Sequence, residues 1–170
     1  ALAAVGSSYT LMVFLTSILI GLAMGSGTIF SLRFGAGDSD GLKKSITASF
    51  ILIGGISVLL IAAAFATLDP VLEWLQVPAD VIDPMRDYLW IIYWGIGFTF
   101  LYNYFAALLR AVGDSISPLL WLACAAVLNI GLDLLFILRF NWGIEGAAAA
   151  TVISQAVSGI GLGIHTIVTR

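Results

Sequence analysis

SPLLWLACAAVLNIGLDLLFIL, residues 117–138, carries one charge, Asp133, in twenty-two residues. About 20 apolar residues take a helix across the hydrocarbon core of a bilayer, and Pro118 suits the first turn of such a helix. Marking every charge outward from this stretch isolates four more runs of the same kind. Gly146 to Val168 holds only His165 as a titratable group, and Tyr88 to Leu109 lies between Asp87 and Arg110. Ile46 to Thr67 lies between Lys44 and Asp69, and about Tyr9 to Leu32 precedes the first charge, Arg33. Lipid leaves no solvent for unpaired backbone groups, so the runs read as helices. The predicted fold is all-α, a polytopic transmembrane helix bundle of about five spans.

Composition agrees. Of the 170 residues 61% are hydrophobic and 10% charged, and the mean hydropathy is +1.08. A soluble domain carries about 25% charged residues, and a chain this short has no core large enough to hide so much apolar surface. The lipid bilayer is therefore the first partner. A net charge of -3 and the lack of a basic, aromatic-interleaved stretch argue against nucleic acid. The single cysteine, Cys124, excludes an internal disulfide framework and reads as a small buried hydrophobe. The chain opens Ala1-Leu2-Ala3-Ala4-Val5, without an initiator methionine or a basic leader, and reads as a segment of something longer.

The connections set the orientation. Phe34 to Lys44 and Arg110 to Pro118 are short turns with basic flanks, and both contain Gly-Asp-Ser, at 37–39 and 113–115, a hint of an internal repeat. Leu68 to Asp87 is acidic, and its Val71-Leu72-Glu73-Trp74-Leu75 stretch reads as a short interfacial helix with Trp74 at headgroup depth. Arg33, Lys43, Lys44, Arg110 and Arg170 fall on one side; Arg86 and Arg139 fall on the other. The positive-inside rule puts the larger group in the cytoplasm, which leaves the N-terminus outside and the C-terminus inside a multi-pass cell membrane protein. Gly21 with Gly25 and Gly159 with Gly163 are four apart, a spacing that suits close helix packing.

Asp133 is the residue least at home in oil. An aspartate at a helix centre costs roughly 2.5 to 3.5 kcal/mol on insertion scales, and one near a helix end costs less. It needs a partner, a water-filled cavity or a proton. Either it serves assembly alone, by snorkelling or pairing, or it titrates or binds a cation. Asn129, one turn earlier, shares its face. A carboxyl group in a low dielectric favours its protonated form and one beside a cation its ionised form, so the pair suits ion exchange. Tyr88, Asn103 and Thr151 are further polar groups inside the runs, Gln155 follows Thr151 by one turn, and His165 lies near an end. No nucleophile-and-base set, His-Glu-x-x-His or phosphate-cradling loop can be assembled, so nothing argues for an enzyme or a resident cofactor.

The chain resembles the multidrug and toxic compound extrusion (MATE) transporters. The carriers are Leu2-Ala3-Ala4-Val5-Gly6, Arg33-Phe34-Gly35-Ala36-Gly37-Asp38 and Leu109-Arg110-Ala111-Val112-Gly113-Asp114 with Pro118, followed by Asn129-Ile130-Gly131-Leu132-Asp133 and Trp142-Gly143-Ile144-Glu145-Gly146-Ala147-Ala148. They come in this order, at helix-length spacings, over nearly the whole chain. The resemblance implies that residues 1–170 are helices two to six of twelve, part of the N-terminal six-helix lobe, with the first helix and the C-terminal lobe as missing partners. It is closest to the DinF-like branch, whose cavity uses an Asn-x-x-x-Asp pair matched here by Asn129 and Asp133. In that likeness Thr151 stands beside the pair, Tyr88 and Asn103 line the cavity, and Ala106 replaces an asparagine of some members.

The function so implied is secondary active efflux of small organic cations in exchange for H+ or Na+. Asp133 is then the exchange carboxylate, and Asn129 and Thr151 orient it or join it as oxygen ligands to Na+, a hard cation. Two rivals stand beside this. One is a lipid-linked saccharide flippase of the same superfamily, disfavoured because no arginine or lysine lies inside a run. The other is a non-transporting membrane scaffold, which leaves Asp133 without a chemical role.

Overall fold

The structure, a computed structural model, describes residues 2–74 and 76–169, and for residues 2–8, 81 and 144 the backbone alone. Leu75 and Arg170 lie outside the described residues, so the short-helix expectation at Leu75 and the last basic charge have no counterpart here. The elements in order are α1 (Leu2–Gly35), α2 (Ser39–Ala66), α3 (Leu68–Trp74), α4 (Ala79–Ala111), α5 (Ile116–Leu134), a π-helical turn (Leu135–Arg139) that prolongs α5, and α6 (Gly143–Thr169). Five of these stretches are long and apolar enough to cross a membrane: Tyr9–Gly35, Ser39–Ala66, Ile82–Ala111, Ile116–Arg139 and Glu145–Thr169. The protein is a multi-pass membrane protein with an all-α fold.

The third span differs from its expected start. α4 begins at Ala79 rather than at Tyr88, because Asp80 and Asp83 belong to its first turns, where carboxylates complement the partial positive charge of a helix N-terminus. Arg86 is tied to this acidic end: its Nε lies 2.7 Å from Asp69 Oδ1 and its Nη1 3.5 Å from Asp83 Oδ1. A short helix is present there as α3, with Leu72 buried and Trp74 83% exposed.

α4 is the hub. It packs on α1, α2, α3 and α6, whereas α5 rests mainly on α6. Tyr93, Ile96, Phe100 and Tyr104 recur at three- and four-residue spacing and bury one face of α4. They meet Leu19 and Phe30 of α1 and Ile53 of α2. The Tyr104 hydroxyl donates to the Ile46 carbonyl at 2.7 Å, with Ser49 Oγ 2.9 Å away, so this polar tip of the aromatic layer is satisfied across helices. The hydroxyls of Thr16, Ser17, Ser26, Ser154 and Thr166 each donate to the carbonyl four residues earlier, which removes their cost inside the bundle.

Glycine spacing works on one helix and not on the other. A Cβ on Gly159 would stand 2.7 Å from the Phe98 carbonyl, and one on Gly163 would stand 2.9 Å from the Phe105 ring, so α6 presses on α4 at both. Gly21 and Gly25 meet nothing within 4 Å among the described residues, contrary to the close packing expected of them. Cys124 likewise is exposed rather than buried, because α5 has a neighbour on one side only.

The two Gly-Asp-Ser turns are the same structure twice. Gly37 (φ 71) and Gly113 (φ 93) adopt the left-handed conformation that ends a helix. At the first turn Asp38 N–H bonds the Arg33 carbonyl and Gly37 N–H the Phe34 carbonyl, both at 3.1 Å. At the second, Asp114 N–H bonds the Leu109 carbonyl at 2.8 Å and Gly113 N–H the Arg110 carbonyl at 3.1 Å. Each aspartate then receives a backbone N–H three residues on: Asp38 Oδ1 from Gly41 at 2.9 Å, Asp114 Oδ1 from Ser117 at 3.0 Å. Asp38 is thus the N-cap of α2, whereas Asp114 stands one residue before Ser115, the N-cap of α5, and reaches the same first turn. Both turns lie at the basic end of the bundle.

Candidate functional site

The site begins with α5. Asn129 and Asp133 are one turn apart and half-buried, while Ile130, Gly131 and Leu134 between and beyond them are exposed. Their shared face turns to α6, on which α5 packs. There Asn129 Nδ2 donates to Thr151 Oγ1 at 3.4 Å, and Thr151 Oγ1 spends its own proton on the Ala147 carbonyl at 3.0 Å. The threonine hydroxyl is thereby oriented with an oxygen lone pair toward α5. Since the Asn129 nitrogen takes that direction, its amide oxygen is turned from Thr151.

Asp133 Oδ1 is buried and has no hydrogen-bond partner among the described residues. Buried polar atoms are paired in the great majority of cases, and an orphan costs about 1–3 kcal/mol, more if charged. An acceptor so placed is relieved by a proton, a cation or water. Asp133, Asn129 and Thr151 carry carboxylate, amide and hydroxyl oxygens, a donor set that fits a hard cation. No cluster of three histidine, cysteine or acidic residues exists among the described residues.

Tyr88 and Asn103 stand apart from this group. Tyr88 is half-buried against the main core near the acidic end. Asn103 Nδ2 donates to the Thr99 carbonyl at 2.8 Å, so this deep amide finds its partner on its own helix. Asn103 also lies eight residues from the basic end of α4, about 12 Å along the axis, whereas Asp133 lies six residues from the acidic end of its span. A cleft of about 230 Å³ opens near the basic end between α1 and α4, beside Gly27, Thr28, Ser31 and Arg110, and it includes none of the Asp133 group.

Two features had no warning in the residue types. The helix that carries Asp133 widens into the π-helical turn two residues later, with Phe140 N–H reaching the Leu135 carbonyl at 3.3 Å; such turns recur near functional sites. Phe136 of this turn gathers with Phe140 and Trp142 just after it, with ring centroids 4.7 Å apart for Phe136 and Trp142 and 5.2 Å apart for Phe140 and Trp142.

The fold is an all-helical, multi-span bundle in which one buried carboxylate oxygen has no partner among the described residues. The chain belongs to the MATE family: the MatE family model matches residues 1–135, a stretch that includes Asn129 and Asp133 and stops short of Thr151. MATE family members are transporters, not enzymes. The chain is 39% identical over 158 residues to the probable multidrug resistance protein YpnP of Bacillus subtilis (strain 168), covering 93% of this chain and 36% of that protein. It is 28% identical over 160 residues to the multidrug export protein MepA of Staphylococcus saprophyticus, covering 90% of this chain and 34% of that one. Its fold matches the outward-facing conformation of a multidrug resistance MATE family transporter with a TM-score of 0.90 at 25% identity, over 99% of this chain and 38% of the other. The chain thus spans about a third of the length of the relatives it matches.

Proposed function

We propose that this chain is part of the N-terminal lobe, helices two to six, of a secondary active multidrug efflux antiporter that exports small organic cations in exchange for H+ or Na+. The observation that carries this is the buried, partnerless Oδ1 of Asp133 beside the Asn129–Thr151 link. Asp133 is the exchange carboxylate. Asn129 and Thr151 hold oxygen atoms beside it, and Tyr88 and Asn103 line the wider cavity. Relatives named as multidrug resistance and multidrug export proteins support the substrate class. The Asn129-x-x-x-Asp133 spacing supports the DinF-like branch.

The mechanism follows from charge. With its carboxyl ionised and bare, the site attracts a proton, a metal ion or an organic cation, and only one of them fits at a time. Neutralising the carboxylate removes the penalty on a closed, dry arrangement; an ionised one favours an arrangement open to water. A ligand that binds the two arrangements unequally shifts their balance, and exchange results. The basic end of the bundle faces the cytoplasm of the cell membrane and the acidic end faces outward, in accord with Arg33, Lys43, Lys44 and Arg110 at the one end. The missing first helix and C-terminal lobe complete the pathway.

The test is ethidium efflux from vesicles that hold the full-length parent, with H+ and Na+ gradients imposed separately. Efflux driven by one gradient and abolished by Asp133→Asn at unchanged membrane insertion supports the reading. Normal gradient-driven efflux by Asp133→Asn removes this residue from the mechanism.

A further inference from the structure

Gln155 is the polar side chain that the site above leaves without a role. It stands one α6 turn beyond Thr151 and shares its face. Its Oε1 occupies the place where a Cβ on Gly95 of α4 would sit, and Val152 Cγ2 lies 3.4 Å from that same point. Gly95 is buried, so the lack of a side chain there is what admits the carboxamide into the α4–α6 seam. The backbone carbonyl of Gln155 accepts from Ser158 Oγ at 3.0 Å. Its carboxamide makes no hydrogen bond to the described residues.

Depth makes this informative. Gln155 comes ten residues after Glu145, where its span begins, so it lies about 15 Å along the helix. A half-buried amide with unspent donors is unfavourable against lipid at that depth. Such a group calls for a polar ligand or water at its free end. With its oxygen lodged over Gly95, the carboxamide presents its NH2 end. Asp133, Asn129, Thr151 and Gln155 form one column in which each member is a helical turn or a hydrogen bond from the next.

We infer that Gln155 is a specificity-determining residue of this site: its NH2 group, aimed by the Gly95 notch, donates a hydrogen bond to an oxygen acceptor on the organic cation whose charge Asp133 balances. The inference rests on the antiporter reading. It divides substrates by chemistry, since a cation bearing a carbonyl gains from the contact and one without acceptors does not.

The probes are rhodamine 6G, which bears an ester, and tetraphenylphosphonium, which has no hydrogen-bond acceptor. Transport of both by the reconstituted full-length parent is compared among wild type, Gln155→Leu, Gln155→Asn and Gly95→Ala, normalised to inserted protein. Loss of one hydrogen bond raises the KM for rhodamine 6G roughly fivefold in Gln155→Leu, with kcat unchanged and tetraphenylphosphonium unaffected. Gly95→Ala, which evicts the carboxamide while keeping it in the chain, shows the same selective rise, and Gln155→Asn keeps part of the preference. An equal loss for both cations makes Gln155 a packing residue and overturns the inference, as does no change for either. A wild type that moves neither cation overturns the antiporter reading, and this inference with it.

Discussion

Arg33 Nη1 lies 2.6 Å from Asp38 Oδ2, and the two side chains close over Gly41 in the first turn of α2, taking the space that a Cβ there would need. Helix propensity alone favours Ala over Gly by about 1 kcal/mol. Here Gly41→Ala is expected to be near neutral, because the new methyl displaces only the flexible, half-exposed ends of an ion pair of modest worth, which offsets the gain in helix propensity. The midpoint of thermal unfolding of the detergent-purified parent should change little; a large fall would show that the pair is held more firmly than its exposure implies.

The same carboxylate gives the basic end a pH dependence. The Gly41 N–H hydrogen bond, and then the Arg33 guanidinium, hold Asp38 below its ordinary value of 3.8. A lowered value means that the contribution to stability is complete above the unfolded value and is lost as pH falls through the folded one. The stability difference between wild type and Asp38→Ala should therefore be constant at neutral pH and shrink below about pH 4. A difference that persists unchanged into that range would show that the carboxylate charge plays no part.

At the α4–α6 seam, Gly159→Ala sets a Cβ against the Phe98 carbonyl, a backbone atom that cannot swing away. The expected loss is about 1–3 kcal/mol. Gly54→Ala, whose Cβ would meet the Phe100 ring at an ordinary 3.9 Å, is the control and should be neutral or slightly stabilising. Denaturation of the two variants side by side decides the matter, and equal effects would mean that the seam is not tight.

Thr151→Val keeps the shape and removes the hydroxyl that accepts from Asn129 at 3.4 Å. One hydrogen bond of about 1 kcal/mol corresponds to roughly a fivefold drop in gradient-driven efflux. Thr151→Ser should restore most of it. Equal activity in Val and Ser variants would leave the hydroxyl without a function.

How much of this was legible in advance depends on the range of the forces involved. Spans are written in the local absence of charge, so the first, fourth and fifth appeared close to their places; the second and third begin earlier than read, at Ser39 and Ile82, because their leading charged residues look like linker until they are seen to open a helix. The shared face of Asn129 and Asp133 was legible because acids and amides in oil are conspicuous and helical spacing is regular, whereas the contact of Thr151 with Asn129 was implied only by the family resemblance. The empty flank at Gly21 and Gly25, the exposure of Cys124 and the fit of Gln155 over Gly95 were not, since each depends on which helix lies opposite, and a single strand of letters does not carry that. The π-helical turn is hidden as well, since Leu135 to Arg139 is ordinary helix-forming sequence, although Phe136 within it packs closely on Gly146.

That wider turn has a consequence for tolerance to change. It accommodates one more residue than an α-helix over the same rise, so the corner made by Phe140, Asn141 and Trp142 is clocked independently of the carboxylate upstream. A residue inserted or deleted there would reshape the mouth of the hairpin while the acid keeps its bearing.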